Sequence, residues 1–161
     1  MKLDQIDLKI LSALQREGRA TKTRVAELVG LSPSPCHERI RRLERAGYIR
    51  GYHAEIDIDK LARPQLVIVE ICLKSHDAGD FERFRRHITG VPEVLECYQT
   101  SGVVDFILKV VAPSIEAYQT LMDRLLDADI AIGRFNTCVV TKPVKRYGPY
   151  PIDLLASPDQ E

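Results

Sequence analysis

The segment Gly30–Gly47, GLSPSPCHERIRRLERAG, restricts the fold of this chain more than any other stretch of the sequence. Ser32 is predicted to be a helix N-cap, with Pro33 at the first helical position. Pro35 still lies in the first turn, where the missing N–H of proline removes no intrahelical hydrogen bond. The two prolines therefore predict the start of a helix and not a break in one.

Two more helices are predicted directly before this segment. Apolar residues recur at helical spacing behind Asp4 and predict a first helix over 4–17, ending at Gly18. Thr21 is placed to cap a second helix, and Gly30 to end it. Because the second and third helices are so close in sequence, they are predicted to pack as a helix-turn-helix pair.

The predicted third helix has one packed stripe and one polar stripe. On a helical wheel of about 100° per residue, Cys36, Ile40 and Leu43 fall on one side. In a helix-turn-helix pair, the second helix enters the major groove of DNA, with the polar stripe toward the bases. That stripe comprises Ser34, Glu38, Arg41, Arg42 and Arg45.

Charge is distributed unevenly along a chain whose formal net charge is zero. Residues 1–53 contain eleven Lys or Arg and six Asp or Glu, a net charge of +5, so the rest of the chain carries −5. A basic N-terminal part next to an acidic remainder is typical of a protein whose first domain alone binds a polyanion. We predict double-stranded DNA as that partner.

The fold of the remainder is predicted from alternating strand and helix patterns. After residues 48–57, interpreted as the short strands of a wing with a kink at Gly51, strands are predicted over 66–74, 94–99, 104–111 and 132–141. Helices follow Asp77 and Ser114. The order βαββαβ is the ferredoxin-like plan, so the fold class is α+β with a winged helix-turn-helix domain and a ferredoxin-like domain.

The first strand of this second domain is apolar on both sides, through Val67, Val69 and Ile71 on one side and Leu66 and Ile68 on the other. Two helices cover only one face of a four-stranded sheet, so the other face is expected to bury itself against a second subunit. Glu70 interrupts this strand, and the pattern leaves open whether it is an interface acid or an edge acid.

The predicted domain boundaries are 1–53 for the DNA-binding domain, 54–64 for a linker, 65–142 for the ferredoxin-like domain and 143–161 for a C-terminal arm. The arm is rich in Pro and Gly, which predicts an extended segment without regular structure.

Several function classes are disfavoured. The four cysteines and four histidines form no ligand-spaced cluster, so we predict no metal, no cofactor and no disulfide frame. The chain lacks a secretion signal and a membrane-spanning apolar run, which predicts a cytoplasmic protein that does not enter the membrane. Nucleotide-binding, phosphate-loop, zincin and serine-hydrolase motifs are missing, so an enzyme is not expected.

The segment LSPSPCHERIRRLERAGYIRGYHAEID, together with the order of elements that follows it, resembles the Lrp/AsnC family of feast/famine transcription regulators. The resemblance implies a DNA-binding first domain and a second domain that assembles dimers or higher oligomers, a tetramer or an octamer, and receives an amino acid or a related metabolite. RPQLVIVEICLK and FNTCVVTKPVK are similar to members associated with catabolic operons, including that for ectoine breakdown.

Candidate DNA contacts follow from the third helix and the start of the second. Residues near the start of the recognition helix are expected at base edges, while Arg42, Arg45 and Lys22 are expected at phosphates. Glu38 either pairs with Arg42 four residues later, the interpretation we favour, or accepts from a cytosine amino group. The full predicted set is Lys22, Thr23, Ser32, Ser34, His37, Glu38, Arg41, Arg42 and Arg45.

The resemblance also implies an effector loop at 100–105, whose main chain helps hold the ammonium and carboxylate of a ligand. From the residues alone, Gly102 and Asp105 favour a tight turn between strands over a ligand site, and only the resemblance reverses this preference. Valines follow the glycine where family members often carry a polar or acidic residue, which leaves the effector open and allows a less polar or larger one. The predicted loop residues are Thr100, Ser101, Gly102, Val103, Val104 and Asp105.

The sequence leaves an alternative open: an architectural protein that wraps DNA with weak sequence preference. The ratio of specific to nonspecific affinity at a fixed salt concentration distinguishes it from a sequence-specific regulator.

Overall fold

A computed structural model describes residues 2–145 and 148–156. The chain divides into two compact units. The first contains the described residues up to Ile56 together with Lys145 and 148–156, and the second contains Asp57–Val144.

The first unit begins with three helices, α1 (Gln5–Arg16), α2 (Lys22–Val29) and α3 (Pro33–Arg45). The caps predicted for α2 and α3 are confirmed: Thr21 accepts from Arg24 N–H, and Ser32 occupies the N-cap of α3. Asp4, predicted inside the first helix, is instead its N-cap and accepts from Asp7 N–H. Gly30 ends α2 with φ of 73°, a left-handed conformation that glycine adopts without steric cost. This residue sets the short turn between α2 and α3.

The three helices enclose a small apolar core. Ile10 from α1 packs with residues of α2 and α3. The predicted packed stripe of α3, which is Cys36, Ile40 and Leu43, faces this core. All four side chains are fully or almost fully buried. Burial of this stripe leaves the opposite side of α3 exposed.

The strands predicted for the wing are wrong. Residues 50–57 are exposed and carry no strand. A segment this short cannot fold back into a stable hairpin of its own, because an isolated two-stranded pair is at best marginally stable in water. Tyr52 instead donates a hydrogen bond to Oε1 of Glu44 in α3 at 3.0 Å. Partial burial of the ring and this bond raise the pKa of Tyr52 to about 12.

Part of the C-terminal segment forms a short helix, α6 (Ile152–Leu155), which packs against α1. The prediction of an arm without regular structure is therefore wrong for these four residues. Pro151 stands just before the helix, where a proline is tolerated, and α1 supplies a surface for the segment. Residues 146–147 and 157–161, which the predicted arm also includes, lie outside the described residues.

The second unit is the predicted βαββαβ arrangement. Its elements, after a single 3-10 turn at Ile58–Lys60, are β1 (Gln65–Leu73), α4 (Ala78–Ile88), β2 (Val94–Gln99), β3 (Phe106–Ala112), α5 (Ile115–Asp127) and β4 (Ile132–Val139). The strands lie in the order β2-β3-β1-β4, and every neighbouring pair is antiparallel. The ferredoxin-like prediction is confirmed.

The two faces of this sheet differ. Val67, Val69 and Ile71 face the helices and are fully buried among side chains of α4 and α5. On the opposite face, Leu66 and Ile68 are only half-buried. Glu70 lies on this second face in a central strand, which settles that it is not an edge acid, and it accepts from Asn136 Nδ2 at 3.1 Å.

Candidate functional site

The start of α2 presents unoccupied main-chain donors. Thr21 Oγ1 satisfies the N–H of Arg24 at 3.1 Å, whereas the N–H groups of Lys22 and Thr23 make no hydrogen bond within the described residues. Both side chains are exposed. Free N–H groups and a neighbouring ammonium at a helix start suit a phosphate oxygen.

The start of α3 is built differently, because Pro33 and Pro35 have no N–H group. A serine N-cap normally accepts from the second or third helical N–H, and Pro35 occupies the third position. Ser32 accordingly makes no side-chain capping bond. The exposed hydroxyls of Ser32 and Ser34 therefore remain available to an external partner.

His37 lies half-buried next to the start of α2. Its Nε2 atom is 3.3 Å from Nζ of Lys22. Because an ammonium only donates, Nε2 is the acceptor, and the ring proton is on Nδ1, which is buried and has no partner among the described residues. Burial, followed by the charges of Lys22 and Arg41, lowers the pKa of His37 below its usual value.

Two arginines of α3 are exposed and unpaired. Arg41 and Arg45 form no ion pair with any described residue, and neither does Glu38. The predicted ion pair between Glu38 and Arg42 is wrong, because the guanidinium of Arg42 binds Asp7 of α1 instead.

Asp7 is a residue of this region that sequence reasoning missed. Its side chain is fully buried and accepts from Arg42 Nη2 at 2.7 and 2.9 Å and from Arg39 Nη1 at 2.8 Å. Asp4 accepts from Arg39 Nη1 at 2.6 Å, and the Asp7 N–H, followed by Arg39, lowers the pKa of Asp4. The available signal was an acid three residues before Ile10, on the apolar face of the first helix.

The predicted DNA contacts thus lie on one helix pair in two groups. Arg42 is half-exposed with its charge directed to Asp7, and His37 is half-buried. The other predicted residues are exposed: Lys22, Thr23, Ser32, Ser34, Glu38, Arg41 and Arg45.

The predicted effector loop connects β2 to β3 in the second unit. At its end, the buried carboxylate of Asp105 accepts from Leu73 N–H at 2.7 Å, and the Asp105 N–H donates to Ile71 carbonyl at 2.8 Å. At its start, Thr100 N–H donates to Asp105 carbonyl at 2.9 Å, and its hydroxyl donates to Val104 carbonyl. These bonds fix both ends of the loop to the sheet.

Between these fixed ends, the main chain is open. The N–H groups of residues 101–104 make no hydrogen bond within the described residues. Gly102 has no left-handed φ, and a Cβ built on it would meet no atom within 4 Å. The fold of one chain therefore gives no reason for a glycine here, which favours a ligand or partner that approaches the main chain closely.

His76 is a second residue of this region that the sequence analysis did not select. Its Nε2 lies 3.2 Å from Oδ1 of Asp105, and its ring stacks on Phe81 with centroids 6.3 Å apart. His76 follows β1, far from the loop in sequence, so no local pattern connects the two. The loop thus has an exposed imidazole beside its buried carboxylate.

Within residues 2–145 and 148–156, no three His, Cys, Asp or Glu side chains are grouped to hold a metal ion. In the same ranges no helix has the length and apolarity that crossing a bilayer requires.

Comparison with known families assigns both units. Residues 3–50 match the model of a winged helix-turn-helix DNA-binding domain, and residues 66–150 match that of the Lrp/AsnC ligand-binding domain. The chain belongs to the Lrp/AsnC family. Members of this family are transcription regulators and not enzymes. This Lrp/AsnC protein binds DNA through its helix-turn-helix, which is formed by α2 and α3.

Individual relatives agree along most of the chain. The transcriptional regulatory protein DoeX of Halomonas elongata is 49% identical over 91% of this chain and 92% of its own. The crystal structure of an AsnC family regulator from Agrobacterium tumefaciens matches with a TM-score of 0.87 and 35% identity over 95% of this chain and 99% of that one. A transcriptional regulator from Neisseria meningitidis, solved with L-methionine, matches with a TM-score of 0.87 and 28% identity over 96% and 99%.

Proposed function

We propose that this Lrp/AsnC regulator acts in the cytoplasm as a dimer or larger oligomer and recognises a specific operator through α3. One observation carries the proposal: α3 buries Cys36, Ile40 and Leu43 and exposes Arg41 and Arg45, which form no ion pair with any residue that the structure describes. Unpaired arginines on the outer face of a recognition helix suit base edges and phosphates.

The proposed DNA contacts divide by position along the helix pair. Ser34, His37, Glu38 and Arg41 are assigned to base edges, near the start of α3. The phosphate contacts are assigned to Lys22, Thr23, Ser32 and Arg45. Arg42 is left out, because its guanidinium is bound to Asp7.

The effector is proposed to be an amino acid or a close derivative, held at 100–105. The open N–H groups of residues 101–104 suit a carboxylate, since adjacent main-chain N–H groups form an anion-binding concavity. The relative solved with L-methionine supports this ligand class. The exposed side chain of Val103 favours an effector that is less polar than asparagine or glutamine.

Self-association is proposed through the helix-free face of the sheet. Leu66, Ile68, Ile107 and Val111 lie together there and are half-buried in a single chain. A two-fold dimer predicts a near-palindromic operator, with half-sites about one helical turn, or a multiple of it, apart.

The proposal is tested by selecting binding sites from random duplex DNA and footprinting the selected sequence. Paired half-sites, bound at least about 1,000-fold more tightly than random DNA at the same salt concentration, are expected. A ratio near one would favour the architectural alternative. Calorimetry with the twenty amino acids and ectoine then tests the effector class, and a ligand must also change operator affinity, because equal binding to both states shifts nothing.

A further inference from the structure

The recognition helix carries four arginines, but the structure separates them into two pairs. Arg39 and Arg42 lie three residues apart, on the side of α3 that contacts α1, and both guanidinium groups bind the buried carboxylate of Asp7. Arg41 and Arg45 point to the surface and meet no carboxylate among the described residues.

The first pair belongs to a closed cluster of four charges. Asp4 and Asp7 supply two negative charges and Arg39 and Arg42 two positive ones, so the cluster is neutral. Asp4 and Asp7 are themselves joined by reciprocal bonds at the start of α1: each N–H donates to the other carboxylate, at 3.2 and 2.8 Å. The start of α1 and the middle of α3 are thereby tied through directional bonds.

These bonds add to what the apolar core provides. Ile10, Ile40 and Leu43 bury area without fixing direction, whereas a carboxylate that binds two guanidinium groups constrains both distance and angle. Burial of Asp7 makes the constraint stringent, because a buried charge that loses its partners is strongly destabilising.

We propose that Asp7 is a positioning residue for DNA recognition: it sets the rotation of α3 about its axis and withholds Arg42 from the phosphate backbone. The proposal rests on the DNA-binding function proposed above. It replaces the sequence-based expectation that Arg42 neutralises a phosphate, and it assigns the electrostatic part of binding to Arg45 and Lys22.

The dependence of affinity on salt distinguishes the two roles of arginine. Each phosphate contact contributes about 0.9 to the slope of log K against log salt concentration. Arg45→Gln and Lys22→Gln should each reduce the slope of the full-length protein by about 0.9, whereas Arg42→Gln should leave it unchanged. An Arg42→Gln slope reduced as much as that of Arg45→Gln would overturn the proposal.

Asp7→Asn tests the same idea from the other side, because it removes the charge at nearly constant shape. The released arginines become free to meet phosphates, so the slope should steepen by up to about 0.9 for each. Discrimination between operator and random DNA should fall by about tenfold, the effect of roughly one mismatched base pair. The double variant Asp7→Asn/Arg42→Gln should have a slope between those of wild type and Asp7→Asn, because only one of the two released arginines remains.

A purely structural role of Asp7 gives another result. Partial unfolding of Asp7→Asn would lower the affinities for operator and for random DNA by the same factor and leave the salt dependence of affinity unaltered. That result would contradict the proposal. Glu82→Gln is the matched control, since it makes the same charge change on a surface ion pair of the second unit. If Asp7→Asn does not fold, the comparison of Arg45→Gln with Arg42→Gln decides.

Failure of this proposal and failure of the proposed function have different signatures. A wild-type protein without specific, salt-dependent binding would refute the function. A wild-type protein that binds its operator, with an Arg42→Gln slope reduced by about 0.9, would refute only the role of Asp7.

Discussion

The imidazole of His76 lies against Asp105, with Nε2 3.2 Å from Oδ1, while the other carboxylate oxygen accepts from the N–H of Leu73 at 2.7 Å. One carboxylate therefore connects three parts of the second unit: the effector loop, the end of β1 and the residue three positions after it. Its buried half contributes to the fold, and its outer half borders the proposed ligand site.

Asp105→Ala should destabilise the protein through the bond to Leu73. The variant leaves a main-chain N–H without its acceptor, a change expected to lower the free energy of unfolding by about 1–3 kcal/mol. Urea denaturation measures the difference. His76→Ala is the control, because it removes an exposed partner and should cost at most about 1 kcal/mol. Equal stability of Asp105→Ala and wild type would contradict the structural role.

Gly102→Ala should separate ligand binding from folding. The added methyl group would have no atom within 4 Å, and the φ of Gly102 is not left-handed, so alanine fits this position without strain. The free energy of unfolding should therefore rise slightly or stay constant, within about 1 kcal/mol. Effector affinity should fall, because the methyl group lies where the ligand approaches the main chain. Denaturation and calorimetry on the same sample give both values, and unchanged affinity would remove Gly102 from the site.

Gly30→Ala should weaken the turn between the two DNA-binding helices. Nothing stands within 4 Å of the new Cβ, so the loss comes from the left-handed φ of 73° alone. About 1–2 kcal/mol of unfolding free energy should be lost. Gly18→Ala is the matched control: Gly18 has no left-handed φ, and its nearest atom is 3.8 Å away, so thermal melting should barely change.

Stability should depend on pH through His37. Its pKa is lowered in the folded protein, so the unfolded chain takes up a proton first as pH falls below about 6.5. The contribution of neutral His37 to the free energy of unfolding is fully present above about pH 6.5, and it is lost as the pH falls from there to the folded-state pKa. Melting temperatures across this window should fall less steeply for His37→Gln. Lys22→Gln should also flatten the dependence of melting temperature on pH, because the charge of Lys22 is one cause of the lowered pKa of His37. Identical pH dependence in wild type and both variants would contradict this role of His37.

Most of the local structure could be predicted from the sequence, because it depends on neighbouring residues. Thr21 and Ser32 occupy the expected N-caps, and Gly30 ends α2 as expected. The strand and helix order of the second unit also followed from short-range apolar patterns.

What the sequence did not predict depends on contacts between distant residues. Asp7 meets Arg42 across 35 positions and Leu73 meets Asp105 across 32, and no helical or strand periodicity encodes such pairs. The strands predicted at 48–57 are not formed for a related reason, since strand composition there does not supply a pairing partner. A basic stripe predicted from a wheel likewise cannot distinguish an arginine facing solvent from one bound to a neighbouring helix.

The C-terminal segment has a further consequence through Gln15 of α1. The amide of Gln15 accepts from the N–H of Tyr150 at 2.9 Å and donates to its carbonyl at 3.4 Å, so residues 148–156 belong to the same unit as α1. In terms of connectivity, the ligand-sensing unit is an insertion within the DNA-binding unit. A fragment that stops after residue 56 lacks residues 148–156, which complete the same unit as α1 to α3.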